Sequence, residues 1–174
     1  RTPMNGVIGM TGLLLDTKLG EEQRHYAETV RESGESLLAI INDILDFSKL
    51  EAGKLELEII NLDLHQVIDS VIELLAPKAR TKGIELAAFI APDVSTKLRG
   101  DPGRLRQILL NLLGNAIKFT ETGAISVEVS SPPGRIAPGH FLFEINDTGI
   151  GIPTDSQADL FSRFTQADSS VTRR

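Results

Sequence analysis

The sequence predicts an α+β fold in two parts. The first is an antiparallel helical hairpin that forms half of a dimeric four-helix bundle, and the second is a two-layer α/β sandwich with a mixed sheet. The hairpin is predicted by apolar residues that recur at alternating spacings of four and three in residues 1–53. The sandwich is predicted by strand and helix patterns that alternate over residues 54–174. We therefore expect two domains, divided after Gly53.

The hairpin consists of a predicted helix over residues 2–15, a turn over residues 16–20 and a longer second helix. The residues expected to face inward in the first helix are Met4, Val7, Ile8, Thr11 and Leu14 or Leu15. The heptad stripe of the second helix contains Tyr26, Val30, Ser33, Leu37, Ile40, Ile44 and Phe47. Leu38, Ile41 and Leu45 widen this stripe, which favours a four-helix bundle over a two-stranded coiled coil. Because one chain supplies two such helices, we expect a homodimer.

The second part begins with a predicted strand over residues 55–60, an amphipathic helix over 64–81 and a strand over 84–90. Asp101 and Pro102 have the pattern of an N-cap followed by proline at the first helical position, so a helix starts there. Residues 124–130 and 140–146 then form an expected antiparallel pair of strands. A proline- and glycine-rich loop joins them.

One face of the helix that follows Asp101 carries amide side chains. At about 100° per residue, the face of Asn111 also holds Arg104, Gln107, Asn115 and Lys118. The opposite side is apolar, with Leu105, Leu109, Leu112, Leu113 and Ala116. A mid-helix Asn costs roughly half a kcal/mol relative to Ala, so two of them one turn apart suggest a function. An amide oxygen suits Mg²⁺ and a lysine suits a phosphate, although a plain solvated face is the alternative.

A strand that ends at Asp147 leads into a glycine turn. Gly149 and Gly151 allow backbone conformations and close ligand approach that other residues do not permit cheaply. A carboxylate fixed at a strand end can accept a hydrogen bond from an exocyclic amine, such as that of adenine. An Asp-x-Gly-x-Gly run alone is also typical of an ordinary loop turn. Its position after the amide-bearing helix favours a nucleotide site.

Five segments together resemble the successive signatures of sensor histidine kinases, of the hybrid type. They are RTPMNGVIGM (1–10), DILDFSKLEAGKLELE (43–58), DPGRLRQILLNLLGNAIKFT (101–120), DTGIGI (147–152) and LFSRFTQAD (160–168). The resemblance covers nearly the whole chain, in matching order and spacing. It implies a protein histidine kinase that binds Mg-ATP and transfers the γ-phosphoryl group to a His. In the two-component phosphorelay that this implies, the phosphoryl group then passes to an Asp of a response-regulator receiver domain.

The resemblance also implies roles for individual residues. Asn115 would be the Mg²⁺ ligand and Asp147 would recognise adenine. The remaining nucleotide-binding positions implied are Asn111, Lys118, Gly149 and Gly151. Phe161 and Phe164 resemble an aromatic pair that supports a lid over ATP, with core packing as the alternative. Thr2 matches a position from which a hydroxyl can orient the water that dephosphorylates the receiver, with a simple helix-start role as the alternative.

By the same resemblance, the phospho-accepting His would fall three positions before Arg1, and a second glycine-rich segment would follow Arg174. The expectation is therefore a segment truncated at both ends and inactive alone. The chain's own histidines, His25, His65 and His140, lack the flanking residues of a phospho-acceptor site. We expect all three at surface or turn positions.

Composition excludes several other classes of function. The 174 residues contain no Cys, which excludes disulfides, thiol catalysis and zinc–thiolate sites. A net charge of −6 without a compensating basic stretch argues against nucleic-acid binding. No apolar run approaches the roughly 20 residues that span a bilayer, so we expect no membrane contact within this cytoplasmic segment, whose anchor, if any, lies elsewhere.

Two alternatives to a kinase remain open from the sequence. One is a non-catalytic scaffold for dimerisation and receiver docking, which the presence of Asn115, Asp147, Gly149 and Gly151 disfavours. The other is a related ATPase of the gyrase and chaperone type, which the helical hairpin ahead of the site disfavours.

Overall fold

The computed structural model describes residues 2–131 and 140–157. The chain separates into two compact units, Arg1–Glu56 and Leu57–Arg174. The described part of the first unit contains two helices and no strand, and the second unit combines helices and strands.

Unit 1 is the predicted helical hairpin. Helix α1 spans Thr2–Leu15, as predicted, and helix α2 spans Glu21–Glu51. The N-cap of α2 is Gly20, whose N–H donates to Gln23 Oε1 at 3.1 Å. Glu21 and Glu22 lie in the first turn of α2, where negative charge is favourable beside the positive end of the helix dipole.

Helix α1 packs against α2 close to Gly34. A Cβ added to Gly34 would lie 3.2 Å from Ile8 Cγ1 and 3.4 Å from Met4 Cε, so glycine allows the two helices to approach here. Met4, Ile8, Thr11 and Leu15 of α1 are buried or half-buried, as expected for inward positions. Val7 is 43% exposed, so its predicted inward orientation is wrong within a single chain. Of the two alternatives Leu14 and Leu15, Leu15 is the half-buried one.

The heptad stripe of α2 lies beside the face that contacts α1 rather than on it. The buried or half-buried residues of α2 include Ala27, Gly34, Leu38 and Ile41. In contrast, Tyr26, Ile40 and Ile44 are 59%, 55% and 59% exposed. Within the described part of unit 1, one face of α2 thus packs against α1 and an adjacent apolar stripe is exposed. A hairpin of a four-helix bundle has both of these features.

Unit 2 contains helices α3 (Leu64–Thr81), α4 (Pro102–Phe119) and α5 (Thr154–Gln157). Its strands are β1 (Ile60–Asp63), β2 (Ile84–Ile90), β3 (Lys97–Gly100), β4 (Gly123–Ser130) and β5 (Leu142–Asp147). Strands β1 and β3 form an antiparallel pair, and the other three form a sheet in the order β2-β4-β5. Strand β2 runs parallel to β4 and β5 runs antiparallel to it, which confirms the mixed sheet.

The predicted strand over residues 55–60 is wrong, and β3 was not predicted. Pairing starts only at Ile60, opposite Gly100, and ends with Asp63 opposite Lys97. Before that point, the N–H of Glu58 donates to Asp101 Oδ2 at 3.1 Å instead of joining a strand ladder. The alternation of apolar and charged residues in this segment therefore has no strand partner to support it.

Helices α3 and α4 cover one face of the three-stranded sheet. In β4, Ile125, Val127 and Val129 are fully buried, whereas the intervening Ser126 and Glu128 are half-buried and exposed. The buried residues of the helices that complete this core are Leu64, Val67, Ile68, Val71, Leu75, Ala79, Leu109, Leu113, Ala116 and Ile117. One layer of helices on one sheet face confirms the predicted two-layer sandwich.

Candidate nucleotide site

Helix α4 is fixed at its start by Asp101. The Asp101 carboxylate accepts from Arg104 N at 2.9 Å and from Glu58 N at 3.1 Å, and Pro102 occupies the first turn as predicted. These two backbone hydrogen bonds, that of Arg104 first, hold the pKa of Asp101 below its usual value. The cap therefore joins α4 to the segment that leads into β1.

The burial of one side of α4 turns its amides outward. Leu109, Leu113, Ala116 and Ile117 pack into the core. As a result Asn111, Asn115 and Lys118 are exposed, as the predicted amide-bearing face requires. Ile108 and Leu112 are also 55% and 47% exposed, so the placement of Leu112 on the apolar side is wrong. The outward face is thus a mixture of amide and apolar groups.

The glycine turn after β5 is joined to the C-terminal end of α4. Asp147 Oδ1 accepts from Gly149 N at 2.9 Å, which fixes the carboxylate within its own turn. Ile150 N donates to the carbonyl of Phe119, the last residue of α4, at 3.3 Å. The structure therefore brings the predicted Asp147 turn next to the end of the amide-bearing helix.

Gly149 has no room for a side chain. A Cβ built there would lie 2.6 Å from Phe119 O, 2.8 Å from Asp147 Oδ1 and 2.9 Å from Thr120 Oγ1. Gly151 meets no such obstacle, but its φ of 69° is a conformation that glycine adopts readily. Gly151 thus has the special backbone conformation that was expected, whereas the close approach at Gly149 is made by atoms of the chain itself and the expected approach of a ligand stays a prediction.

Thr120 was not predicted as part of this site. It is fully buried, and its Oγ1 has no hydrogen-bond partner within the part of the chain that the structure describes. The hydroxyl and the Asp147 carboxylate both lie within 3 Å of the point where a Gly149 Cβ would be. An acceptor and a buried hydroxyl therefore flank the same glycine.

A second unpredicted residue holds the other side of this junction. Lys82, at the end of α3, donates from Nζ to the carbonyls of Ile117, Lys118 and Thr120 at 2.7, 3.1 and 3.1 Å. No local sequence signal marks this lysine, because its partners lie more than thirty positions away in the chain.

The predicted phosphate and metal ligands share one helix face, without a preformed metal site. Lys118 Nζ lies 5.0 Å from the centroid of the Phe119 ring, in a cation–π contact. No group of three or more His, Cys, Asp or Glu residues in the described ranges, 2–131 and 140–157, could hold a metal ion. Asn115 fits Mg²⁺ as a single amide ligand, because Mg²⁺ in nucleotide sites keeps most of its ligands from phosphate and water.

The remaining predicted residues lie outside this junction. Thr2 is exposed at the start of α1, in unit 1. Phe161 and Phe164 lie outside the described residues. His25, His65 and His140 are all exposed, which agrees with the expected surface positions. In the portion of the chain described, no helix has both the length and the apolar character needed to cross a membrane.

Comparison with known protein families assigns both parts of the chain. Residues 1–53 match the His Kinase A (phospho-acceptor) domain. Residues 100–174 match the histidine kinase-, DNA gyrase B- and HSP90-like ATPase family. The two matches follow the same order as the hairpin and the sandwich.

Individual relatives agree with this assignment. The chain is 51% identical to the signal transduction histidine-protein kinase BarA of Escherichia coli (strain K12), over all of this chain and 19% of that protein. It is 43% identical to hybrid signal transduction histidine kinase L of Dictyostelium discoideum, over all of this chain and 10% of that protein. The chain is also similar to a crystal structure of full-length ShkA in complex with AMPPNP, with a sequence identity of 45% and a TM-score of 0.77. The similarity covers 97% of this chain and 35% of the ShkA chain.

The chain spans a fifth or less of these two curated relatives. Over the residues of this chain, the family matches and the relatives indicate the same family, and the junction of α4 with the Asp147 turn agrees with it. The chain belongs to the sensor histidine kinases, with a phospho-acceptor domain over its first 53 residues and an ATPase-type domain in its second part.

Proposed function

We propose that this chain is the phosphotransfer and ATP-binding core of a two-component sensor kinase of the hybrid type. It binds Mg-ATP in unit 2, and the γ-phosphoryl group passes to a His and then to an Asp of a response-regulator receiver domain. The observation that carries the proposal is the Asp147 carboxylate, fixed beside Gly149 at the end of the amide-bearing helix. The binding of AMPPNP by ShkA, a relative at 45% identity, supports it.

The junction at Gly149 suits the adenine end of the nucleotide. The exocyclic amine of adenine is a donor, and the ring nitrogen next to it is an acceptor. Asp147, which is exposed, supplies an acceptor for that amine. Thr120 is fully buried next to Gly149, so it supports the turn rather than facing a ligand.

The exposed face of α4 suits the phosphate end. Lys118 provides an exposed positive charge for a phosphate, and the amide oxygens of Asn111 and Asn115 provide neutral oxygen ligands. A Mg²⁺ ion bound with ATP would neutralise phosphate charge, with Asn115 as its protein ligand. The residues of this chain would then act by positioning the nucleotide rather than by covalent chemistry.

We further propose that unit 1 forms a homodimer through the exposed stripe of α2. Tyr26, Ile40 and Ile44 are more than half exposed, on a face adjacent to the one that contacts α1. A second hairpin of the same chain would cover this face and complete a four-helix bundle. Thr2, at the exposed start of α1, stays a prediction for the dephosphorylation of the receiver.

Titration calorimetry with ADP tests the proposed nucleotide site. We expect the unmutated chain to bind ADP and Asp147→Asn to bind it at least tenfold more weakly, because a charge-assisted hydrogen bond is worth about 1.5 to 3 kcal/mol. Asp93→Asn is the matched control, since Asp93 is an exposed aspartate that follows β2 at the end of the sheet opposite Asp147. Absence of ADP binding by the unmutated chain would contradict the proposal and favour a receiver-docking scaffold.

A further inference from the structure

We propose that Lys82 is a positioning residue for the nucleotide site, and that it holds the Asp147 turn in place through the C-terminal end of α4. The inference rests on the proposed function for its effect on nucleotide affinity. Its effect on the turn itself does not depend on any ligand.

Lys82 extends from a rigid support. Its backbone N–H donates to Ala79 O at 3.1 Å, and Gly83, at a φ of 68°, donates to Arg80 O at 3.0 Å. These two bonds close the C-terminal end of α3, so the lysine leaves a fixed turn between α3 and β2. Its side chain reaches from there to the end of α4.

Three backbone carbonyls of α4 and its C-cap converge on one ammonium group. Lys82 Nζ donates to Ile117 O at 2.7 Å, to Lys118 O at 3.1 Å and to Thr120 O at 3.1 Å. The last carbonyls of a helix lack partners within the helix and lie at the negative end of its dipole. An ammonium group has three donors, so Lys82 satisfies three of these carbonyls at once.

Among the carbonyls of residues 117–120, Lys82 does not bind that of Phe119, and this carbonyl holds the Asp147 turn. Phe119 O lies between the lysine-bound carbonyls in sequence and accepts from Ile150 N at 3.3 Å. The side chain of Thr120 lies directly under Gly149, within 2.9 Å of its Cβ position. Within residues 117–120, Lys82 therefore binds three carbonyls, and Phe119 and Thr120 contact the Asp147 turn.

This arrangement links Lys82 to the base-binding end of the site. Without the lysine, three carbonyls lose their donor and the last turn of α4 frays, as helix ends do. Phe119 O and Thr120 then no longer hold a fixed position under the turn. The orientation of Asp147 loosens as a result, whereas Asn111, in the middle of α4, is little affected.

The test compares Lys82→Met, Lys82→Gln and Lys82→Arg with Lys78→Met. Methionine keeps the side-chain length without donors, glutamine keeps fewer donors, and arginine keeps several. Lys78 is an exposed lysine on the same helix, so Lys78→Met changes the net charge equally. Hydrogen exchange of the Ile150 amide and calorimetric affinity for ADP are measured, both well below the thermal midpoint of every variant.

We expect Ile150 exchange to rise about tenfold in Lys82→Met, less in Lys82→Gln and least in Lys82→Arg. The affinity for ADP should fall in the same order, while exchange in the core strand β4 and all properties of Lys78→Met stay unchanged. A lower thermal midpoint with unchanged Ile150 exchange would overturn the proposal, because Lys82 would then be structural only.

If the unmutated chain fails to bind ADP, the proposed function fails, and Ile150 exchange still decides the role of Lys82. Should Lys82→Met not fold, Lys82→Gln and Lys82→Arg give the same comparison.

Discussion

The turn after β5 accepts only glycine at position 149. An added methyl group would lie 2.6 Å from the Phe119 carbonyl oxygen, a backbone atom that cannot rotate away. We expect Gly149→Ala to lower the free energy of unfolding of unit 2 by about 1 to 3 kcal/mol, the usual cost of overpacking. Chemical denaturation of the chain measures this change.

Gly114 provides the matched control for that substitution. It lies in the middle of α4, and a Cβ there would meet nothing within 4 Å. Gly114→Ala should therefore stabilise the chain by up to about 1 kcal/mol, since Ala is the better helix former. Equal effects of the two substitutions would show that the close approach at Gly149 does not constrain the turn.

Asp101 makes the stability of unit 2 depend on pH. Backbone hydrogen bonds from Arg104 and Glu58 lower its pKa below the ordinary value of 3.8. The stabilisation from a group with a lowered pKa is complete above its unfolded pKa and is lost as the pH falls through the folded one. It is therefore present at pH 7 and lost as the pH falls below about 3.8.

We expect the stability difference between the unmutated chain and Asp101→Asn to shrink as the pH is lowered from 7 to 3. Denaturation midpoints at a series of pH values measure it, with Asp69→Asn as the control, since Asp69 is an exposed aspartate of α3. A difference that stays constant over this range would show that the Asp101 carboxylate does not contribute in its charged form.

At the residue scale, the sequence predicts the groups whose signal is local. Asp101 and Pro102 predict the start of a helix. Asp147, Gly149 and Gly151 predict the end of a strand followed by a turn, and each of these signals lies within a few neighbouring positions. Lys82 and Thr120 carry no such signal, because their roles arise from contacts with residues that only the folded chain brings near.

At the element scale, the contact between α1 and α2 depends on the absence of a side chain at Gly34. Its Cβ position lies 3.2 Å from Ile8 Cγ1, so a methyl group would need only a small shift, whereas a leucine would separate the helices. We expect Gly34→Leu to increase hydrogen exchange in α1 by about tenfold, equivalent to roughly 1.4 kcal/mol.

A compensating substitution makes this test specific. Ile8→Ala removes the side chain closest to Gly34, so the double variant Gly34→Leu with Ile8→Ala should recover part of the protection in α1. Strictly additive losses in the double variant would mean that Gly34 and Ile8 do not meet in solution.

Helices and strands with a strong periodic pattern of apolar residues could be predicted from the sequence, and short paired strands could not. The predicted bounds of α1, α3 and β2 agree with the structure. In α3 the apolar pattern corresponds to a long repeat of buried positions, whereas α1 and β2 contain one buried residue each. The short β1–β3 pair has four residues per strand and joins segments more than thirty positions apart. The chain just before β1 is held by the hydrogen bond from Glu58 N to Asp101 Oδ2, and the periodicity of the sequence does not reveal this bond.

For the whole molecule, the exposed stripe of α2 predicts self-association. We expect the unmutated chain to form dimers and Ile40→Asp to form monomers or insoluble protein, since a buried charge would disrupt the apolar contact between hairpins. The adjacent Ala39 is exposed but lies outside the stripe, so Ala39→Asp should remain dimeric. Multi-angle light scattering gives the mass of each, and a monodisperse monomer for the unmutated chain would refute the dimer.

The central claim is that unit 2 binds an adenine nucleotide through the Asp147 turn. Calorimetric titration with ADP and with inosine diphosphate tests it most directly, because the two nucleotides differ at the exocyclic group that Asp147 would accept from. A carbonyl replaces the amine in inosine and meets the carboxylate as a second acceptor. We expect ADP to bind at least tenfold more tightly, as loss of a hydrogen bond to a charged group costs about 1.5 to 3 kcal/mol. Equal affinities for the two nucleotides would contradict the assignment of Asp147 as the adenine-binding residue.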